Sequence, residues 1–335
     1  MTTSSTPLRR GLPAAGLAMA LALAASLPGA ALAADYPSRP ITLVVPQAPG
    51  GNADYVGRLV AQKLGEKIGQ TVVVENKPGA GGTIGTASVA RSAPDGYTLV
   101  LADTGTHSIA PELYGKSLQY DVFKSFTPVT WVAQFPAVLL LHPSVPADTP
   151  QEFVKLVREH PGQYNYGSAG VGNGSHLAQD LFLHAAGDMK MVHVPYKGGA
   201  PAIQALVTGE VQMGSVSVNT ALPFLKSGRV KALAVPSFKR SDTIPDVPTL
   251  REAGIEGAES DNWFAVLGPA GMDAQVVGRL NDALVQALHD ADLAAKFKEV
   301  GVDVVARDGQ AFTQMLAEDE KKWGEAVRRS GASAQ

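Results

Sequence analysis

Apolar residues along this chain follow two repeating patterns. Short runs such as "ITLVVP", "TVVVEN", "YTLVLAD" and "AVLLLHP" (137–143) are dense in Val, Ile and Leu and read as buried strands. Between them, apolar positions recur every three or four residues. Val56, Leu59, Val60, Leu64 and Ile68 make one such stripe and predict a helix with Asn52 as its N-cap. "KPGAGGTIGTASVARS" reads as a glycine-rich turn opening a second helix. Thr149-Pro150-Gln151-Glu152 has the form of a capping box with proline at the first helical position, and predicts a helix to about His160. "YNYGSAGVGNGSHLAQDLFLHAAG" repeats strand, glycine turn and helix, with Ser175 as N-cap and Leu177, Leu181, Phe182 and Ala185 facing inward. "MVHVPY" and "KGGAPAIQALVTGE" repeat it again, with Pro201 near the helix start. "VQMGSVS" and "VKALAVP" read as two more strands. After the proline-rich "IPDVPTLREAGIEG" come "WFAVLGPAG" and helices near 274–290, 291–300 and 310–329.

This alternation predicts an α/β architecture with mainly parallel sheets. The repetition is architectural, and suits two similar α/β lobes facing each other across a cleft. The expected division is 34–134 for the first part of lobe one, 135–258 for lobe two, and 259–335 for a return to lobe one. Open α/β sheets place ligands outside the carboxyl ends of their strands, which here are the glycine turns.

The first residues are expected to lie outside the fold. Arg9 and Arg10 form a positive segment, Leu12 to Leu27 is apolar, and Ala31-Leu32-Ala33 reads as a cleavage site. Residues 1–33 are therefore expected to be a signal peptide, removed on export by the general route. The run is short for a membrane span and is broken by Pro13 and Pro28. Cleavage after Ala33 leaves 26 basic and 31 acidic side chains, a formal charge of −5. That balance argues against nucleic acid as a partner, and means that an anionic ligand must be held by local geometry. The chain has no cysteine, which excludes disulfides, thiol catalysis and a lipidated N-terminal cysteine. A freely soluble protein of the periplasm is expected. A monomer is expected too, since no coiled-coil pattern argues against one.

Three glycine turns carry the candidate chemistry: Pro49-Gly50-Gly51-Asn52, Gly79-Ala80-Gly81-Gly82 and Gly170-Val171-Gly172-Asn173-Gly174-Ser175. Without a Cβ the backbone can approach a ligand closely, and free N–H groups at a helix start favour an anion. Tight turning alone would explain any one of them; three at strand-to-helix junctions point to binding. Nucleotide motifs fail on spacing. No Walker-type loop is present, and the third glycine of G-x-G-x-x-G is replaced by Ile84 after one pair and by Ser175 after another. Neither ATP nor NAD is implied, and no cofactor is expected. Asp54 and Arg58 stand four apart and can pair on the first helix. Lys77 and Lys197 each precede a glycine cluster, where solvated lysine is the plainer reading. His176 stands in a glycine turn, where a helix-start hydrogen bond explains it better than catalysis. No His pair has metal-ligand spacing, and no G-x-S-x-G elbow occurs.

The chain resembles the extracytoplasmic solute receptors of the tripartite tricarboxylate transporter system, the Bug-type family. The resemblance runs over the whole mature chain: "YPSRPITLVVP" with "PGGNAD", "VVVENKPGAGGTIG", "DGYTLVLAD", "YDVFKSFTPV", "YGSAGVGNGSHLA", "VPYKGGAPAIQALVTGEV", "KSGRVKALAV", "IPDVPTLREAG" and a closing stretch with Trp323 and "RSG". It implies the type II periplasmic binding-protein fold, with two α/β lobes around a ligand cleft. It also implies a carboxylate ligand held by backbone N–H groups and water. By position, the first-lobe contacts would be Gln47, Ala48, Gly50, Gly51 and Asn52, then Ala80, Gly81 and Gly82, and Thr104. The second-lobe contacts would be Ser168, Ala169, Asn173, Gly174, Ser175 and Ser217. Two departures matter. Relatives often carry an aromatic residue where Gln47 stands, so a more polar entrance is expected. Some relatives, including those that take amino acids, have an acid near Val216. Its absence weakens an amino-acid ligand and favours a plain mono-, di- or tricarboxylate, aromatic ones included.

The resemblance implies delivery of the ligand to the membrane subunits of a secondary transporter. A receptor that presents the carboxylate to a membrane sensor kinase is the alternative, and the sequence does not separate the two. Nothing in the sequence favours an enzyme.

Overall fold

The computed structural model describes residues 1–2 and 36–334, so the expected signal peptide lies outside the described residues except for its first two. Those residues form eleven strands and ten α-helices in two sheets.

In chain order the first sheet contributes β1 (Ile41–Val45), α1 (Asn52–Ile68), β2 (Val72–Asn76), α2 (Thr83–Ala90), β3 (Thr98–Asp103), α3 (Ala110–Tyr114) and β4 (Phe126–Phe135). The second sheet follows with β5 (Ala137–Leu141), α4 (Pro150–Glu159), β6 (Asn165–Ser168), α5 (Gly174–Ala185), β7 (Val192–Pro195), α6 (Gly199–Thr208), β8 (Met213–Ser217), α7 (Val218–Lys226) and β9 (Lys231–Ala234). The chain then returns through β10 (Asn262–Pro269), α8 (Ala274–Leu288), α9 (Ala291–Glu299), β11 (Asp303–Asp308) and α10 (Gly309–Ser330). The first sheet has the order β11-β4-β10-β3-β1-β2 and the second β7-β6-β8-β5-β9.

Both sheets are mixed, which corrects the expectation of mainly parallel pairing. β1 pairs in parallel with β2 and β3, and β6 with β7 and β8. Every pairing made by β4, β5, β9, β10 and β11 is antiparallel. The strands on which the chain enters each sheet from the other, β5 and β10, run against the helix-connected ones and sit inside their sheets, whereas β9 and β11 are edge strands.

Helices cover both faces of both sheets, which is why the strands read as unbroken apolar runs. On β1, Leu43 and Val45 pack with Val56, Val60 and Leu64 of α1 and Leu280 of α8. Val44 faces the other way, into a cluster with Phe312 and Leu316 of α10. On β5, Leu139 and Leu141 meet Phe153 and Val157 of α4, whereas Val138 and Leu140 meet Ile203 and Leu206 of α6. A fifth cluster spans the two halves: Ile109 and Leu113 join Leu177 and Leu181 of α5 and Trp323 and Val327 of α10.

Local capping rules explain where helices start. Thr149 Oγ1 accepts from the Glu152 N–H while Glu152 accepts from the Thr149 N–H, the capping box read from the sequence. Two other caps lie earlier than expected. Gly51, not Asn52, is the N-cap of α1, and no side chain caps it. Asn173, not Ser175, caps α5, with its side-chain oxygen accepting from the Ser175 N–H at 3.0 Å. In both cases the chain turns into the helix before the residue with the expected capping group is reached.

Candidate functional site

A cavity of about 930 Å³ lies between the two sheets. Its first wall is built from the ends of β1 and β3: Gln47 and Ala53, Gly81, Asp103 to Gly105, and the α3 residues Leu113 and Tyr114. Its second wall is the run from Ala169 to Ser175, the start of α6 from Gly199, and the end of β8 from Ser215 to Ser217. Phe135 and Ala137, at the passage from β4 to β5, and Asn262 to Phe264 of β10 join the two walls.

Of the expected contact residues, Gln47, Gly81, Thr104, Ala169, Asn173, Gly174, Ser175 and Ser217 line this cavity. Ala48, Gly50, Gly51, Asn52, Ala80, Gly82 and Ser168 are not among its lining residues. The Gly50 N–H donates to Asp54 Oδ2 at 2.9 Å. That carboxylate also takes the Asn76 amide and Arg58, so the first-lobe turn is closed on the protein's own acid. These hydrogen bonds hold the Asp54 carboxyl below the usual range although burial opposes them. Gly82 is buried behind Gln47, where a Cβ would stand 3.0 Å from Gln47 Nε2. Ser168 is held inside the fold by His193 Nε2 at 2.7 Å.

Several expected contacts use their side chains internally. Thr104 Oγ1 accepts from the Trp263 N–H at 3.0 Å and ties β3 to β10. Ser175 Oγ donates to Asn173 Oδ1 and accepts from the Ala169 N–H. Ser217 Oγ pairs with Thr220 Oγ1 at 2.8 Å instead of capping α7. What these residues offer a ligand is mainly backbone.

The second wall presents helix starts. The N-cap of α6 is Gly198, with no side chain to satisfy the first N–H groups, and Gly199 and Ala200 line the cavity. Gly174 opens α5 there as well. A Cβ at Gly199 would meet nothing within 4 Å, and one at Gly174 would make only an ordinary contact, 3.5 Å from Asn262 Oδ1. Both glycines therefore leave space on the cavity side. Under the turn, His176 Nδ1 accepts from the Gly172 N–H at 3.1 Å, the helix-start hydrogen bond expected of it.

The lining contains no lysine, arginine or histidine, and one acid, Asp103. Lys77 pairs with Glu75 at 3.0 Å and Lys197 is exposed away from the lining. Burial pushes the Asp103 carboxyl upward, against hydrogen bonds from Thr106, Gln47 and Gly105 that pull it down. Apolar surface completes the cavity. Phe135 and Phe264 stack with ring centroids 5.0 Å apart, and Phe224 and Ile203 face them from the second wall. Among the described residues no group of three or more His, Cys, Asp and Glu could hold a metal ion.

Asp103, Phe135, Phe264 and the pair Gly199-Ala200 were not among the contacts expected from sequence. "KGGAP" carries a signal for the last pair, a glycine cluster before a helix. Ser215 contributes a buried hydroxyl with no partner.

The family described as the tripartite tricarboxylate transporter family receptor matches residues 56–332. Protein BugT of Bordetella pertussis is 35% identical over 302 residues, covering 89% of this chain and 91% of BugT. The periplasmic binding protein BugD superposes with a TM-score of 0.73 at 36% identity, over 90% of this chain and 100% of BugD. MatC of Rhodopseudomonas palustris, solved with bound malate, superposes with a TM-score of 0.73 at 35% identity, over 87% of this chain and 100% of MatC. With two α/β sheets enclosing a cavity edged by uncapped helix starts, this chain belongs to the Bug-type receptors of the tripartite tricarboxylate transporter family, and is a solute receptor, not an enzyme.

Proposed function

We propose that this protein is an exported, periplasmic receptor that captures a small carboxylate between its two lobes and delivers it to the membrane subunits of a tripartite tricarboxylate-type secondary transporter. Residues 1–33 would be removed on export. Residues 34–134 and 259–335 would form one lobe and 135–258 the other. The observation that carries this reading is the convergence of the starts of α5 and α6, the latter with no side-chain cap, on a cavity whose lining holds no cation. Backbone N–H groups at helix N-termini stabilise an anion without a basic side chain. The malate in MatC supports a carboxylate class for relatives of this chain. Ligand contact with both walls would favour the closed form, which the membrane partner would then read.

The test is thermal unfolding of residues 34–335 against a panel of carboxylates, with sugars as controls. A ligand at about 100 times its Kd should stabilise by about 2.7 kcal/mol. Gly174→Val and Gly199→Val should fold, because a Cβ has room at both sites, yet lose the shift because the side chain enters the cavity. If both variants respond as the wild type does, the ligand does not sit against these helix starts.

A further inference from the structure

Asp103 closes β3 and faces the cavity as the one charged side chain of its lining. Its polar contacts are donors. Gln47 Nε2 donates to Oδ2 at 2.9 Å, the Thr106 N–H donates to Oδ1 at 2.8 Å, and the Thr106 hydroxyl lies 3.0 Å from Oδ1. The carboxylate is therefore an acceptor, and Oδ2, with one side-chain partner, has room for a second donor. Gln47 has turned its amide nitrogen to Asp103, which leaves its own oxygen as a further acceptor. Gly82 leaves room for this arrangement from behind, since a Cβ there would stand 2.8 Å from Thr106 Cγ2 and 3.0 Å from Gln47 Nε2. The nearby cation, Arg58, is engaged by Asp54. One corner of the cavity is thus rich in acceptors, while the opposite wall, with the starts of α5 and α6, is rich in donors.

We propose that Asp103 sets the ligand class: the cavity takes a carboxylate whose far end carries a hydrogen-bond donor, a hydroxyl or an ammonium, and rejects one whose far end is a second carboxylate. The ligand's carboxylate lies against the α5 and α6 starts, and its donor completes the shell of Asp103 and Gln47. A second carboxylate at that corner would meet a like charge with no cation in the lining to offset it. The apolar middle of the ligand passes Phe135 and Phe264. This inference rests on the carboxylate reading above, and it restores a polar or zwitterionic ligand that the absence of an acid near Val216 would disfavour.

The test is calorimetric titration with two sets of matched length. One set is hexanoate, 6-hydroxyhexanoate, 6-aminohexanoate and adipate; the other is benzoate, 4-hydroxybenzoate and terephthalate. In the set that binds, the hydroxy or amino member should bind at least tenfold tighter than the dicarboxylate, and which of the two prevails identifies the donor. Asp103→Asn, which keeps an acceptor for Thr106, should reduce that ratio to threefold or less. A dicarboxylate that binds tightest, with a ratio unchanged in Asp103→Asn, would overturn the role of Asp103 and leave the carboxylate reading standing. Should the variant fail to fold, the wild-type ratios decide. Failure of every carboxylate to bind, here and in the wider panel, would overturn both.

Discussion

His176 and His193 stack almost face to face, with ring centroids 3.9 Å apart, and the Tyr166 ring lies 4.9 Å from His193 and 6.2 Å from His176. The stack supports the turn that forms the second wall. His176 accepts from Gly172, and His193 holds Ser168. Burial pushes both imidazoles down to about 4, and each would raise the other's cost of charging.

The pair gives stability a pH dependence of known sign. Between about 4 and 6.5 the unfolded chain binds protons that the folded chain refuses, so stability falls as pH falls through that window. For His176 the effect is on the order of 3 kcal/mol once the window is crossed. His176→Asn keeps an acceptor near the Gly172 N–H and should flatten the acid limb of a plot of Tm against pH. An equally steep limb in the variant would remove His176 as its cause.

Asp261 works in the opposite direction. It sits in the segment leading back to β10, with Oδ2 bonded to Ser237 Oγ at 2.7 Å and Oδ1 buried without a partner. Burial pushes its carboxyl up to about 6. The folded chain therefore binds more protons than the unfolded chain between about 3.8 and 6, and stability falls as pH rises through that window. Asp261→Asn should raise stability at pH 8 by up to about 3 kcal/mol and leave it little changed at pH 4. Chemical denaturation at the two pH values reads this directly; equal gains at both would contradict it.

Gly172 combines a turn with a contact across the cleft. Its φ is +71°, and a Cβ there would stand 2.6 Å from Leu113 Cδ1 on the other lobe. Gly172→Ala should cost about 1–2 kcal/mol of stability from the left-handed backbone alone. It should also weaken ligand binding, because Leu113 must move aside for the lobes to meet. Wild-type affinity in a folded Gly172→Ala protein would show that Leu113 yields without cost.

On the other side of the cleft, Asn219 Nδ2 donates to the Glu299 carbonyl at 3.0 Å, joining the start of α7 to the end of α9. Asn219 is not a lining residue. Asn219→Ala should remove about 1 kcal/mol that favours the closed form, and so speed ligand release roughly fivefold with little effect on association. Stopped-flow fluorescence of the tryptophans separates the two rates, and an unchanged release rate would exclude the bond as a closing contact.

Elements whose apolar residues continue in one period were legible from sequence. The strands "ITLVVP" and "AVLLLHP" and the stripe of α1 are buried on the faces their spacing requires. β4 was not legible, because Pro128 falls within "FTPVTWVAQF" and argues against an inner strand. The structure accommodates it at a register shift between Val266 and Leu267 of β10, where Pro128 faces Leu267. β11 has no fully buried residue, so its apolar pattern is weak. In the cavity, glycine clusters before helices marked much of the second wall. Asp103 gave no such signal. At the end of "YTLVLAD" it reads as an ordinary polar strand terminus, and its meaning depends on Gln47, 56 positions away, reaching its carboxylate.

β4 ends at Phe135 and β5 begins at Ala137, so one residue, Pro136, separates the two sheets at this passage. Both neighbours are held in strands and both line the cavity. Proline's ring removes one of the two torsions that a single linking residue would otherwise provide. A swing of one lobe on the other would meet a stiff axle at this crossing, one of the two at which the chain passes between the sheets. A solute lying on Phe135 and Ala137 touches that axle itself, so seating it would set the angle between the lobes at the place where the smallest displacement has the greatest leverage on the distant rim.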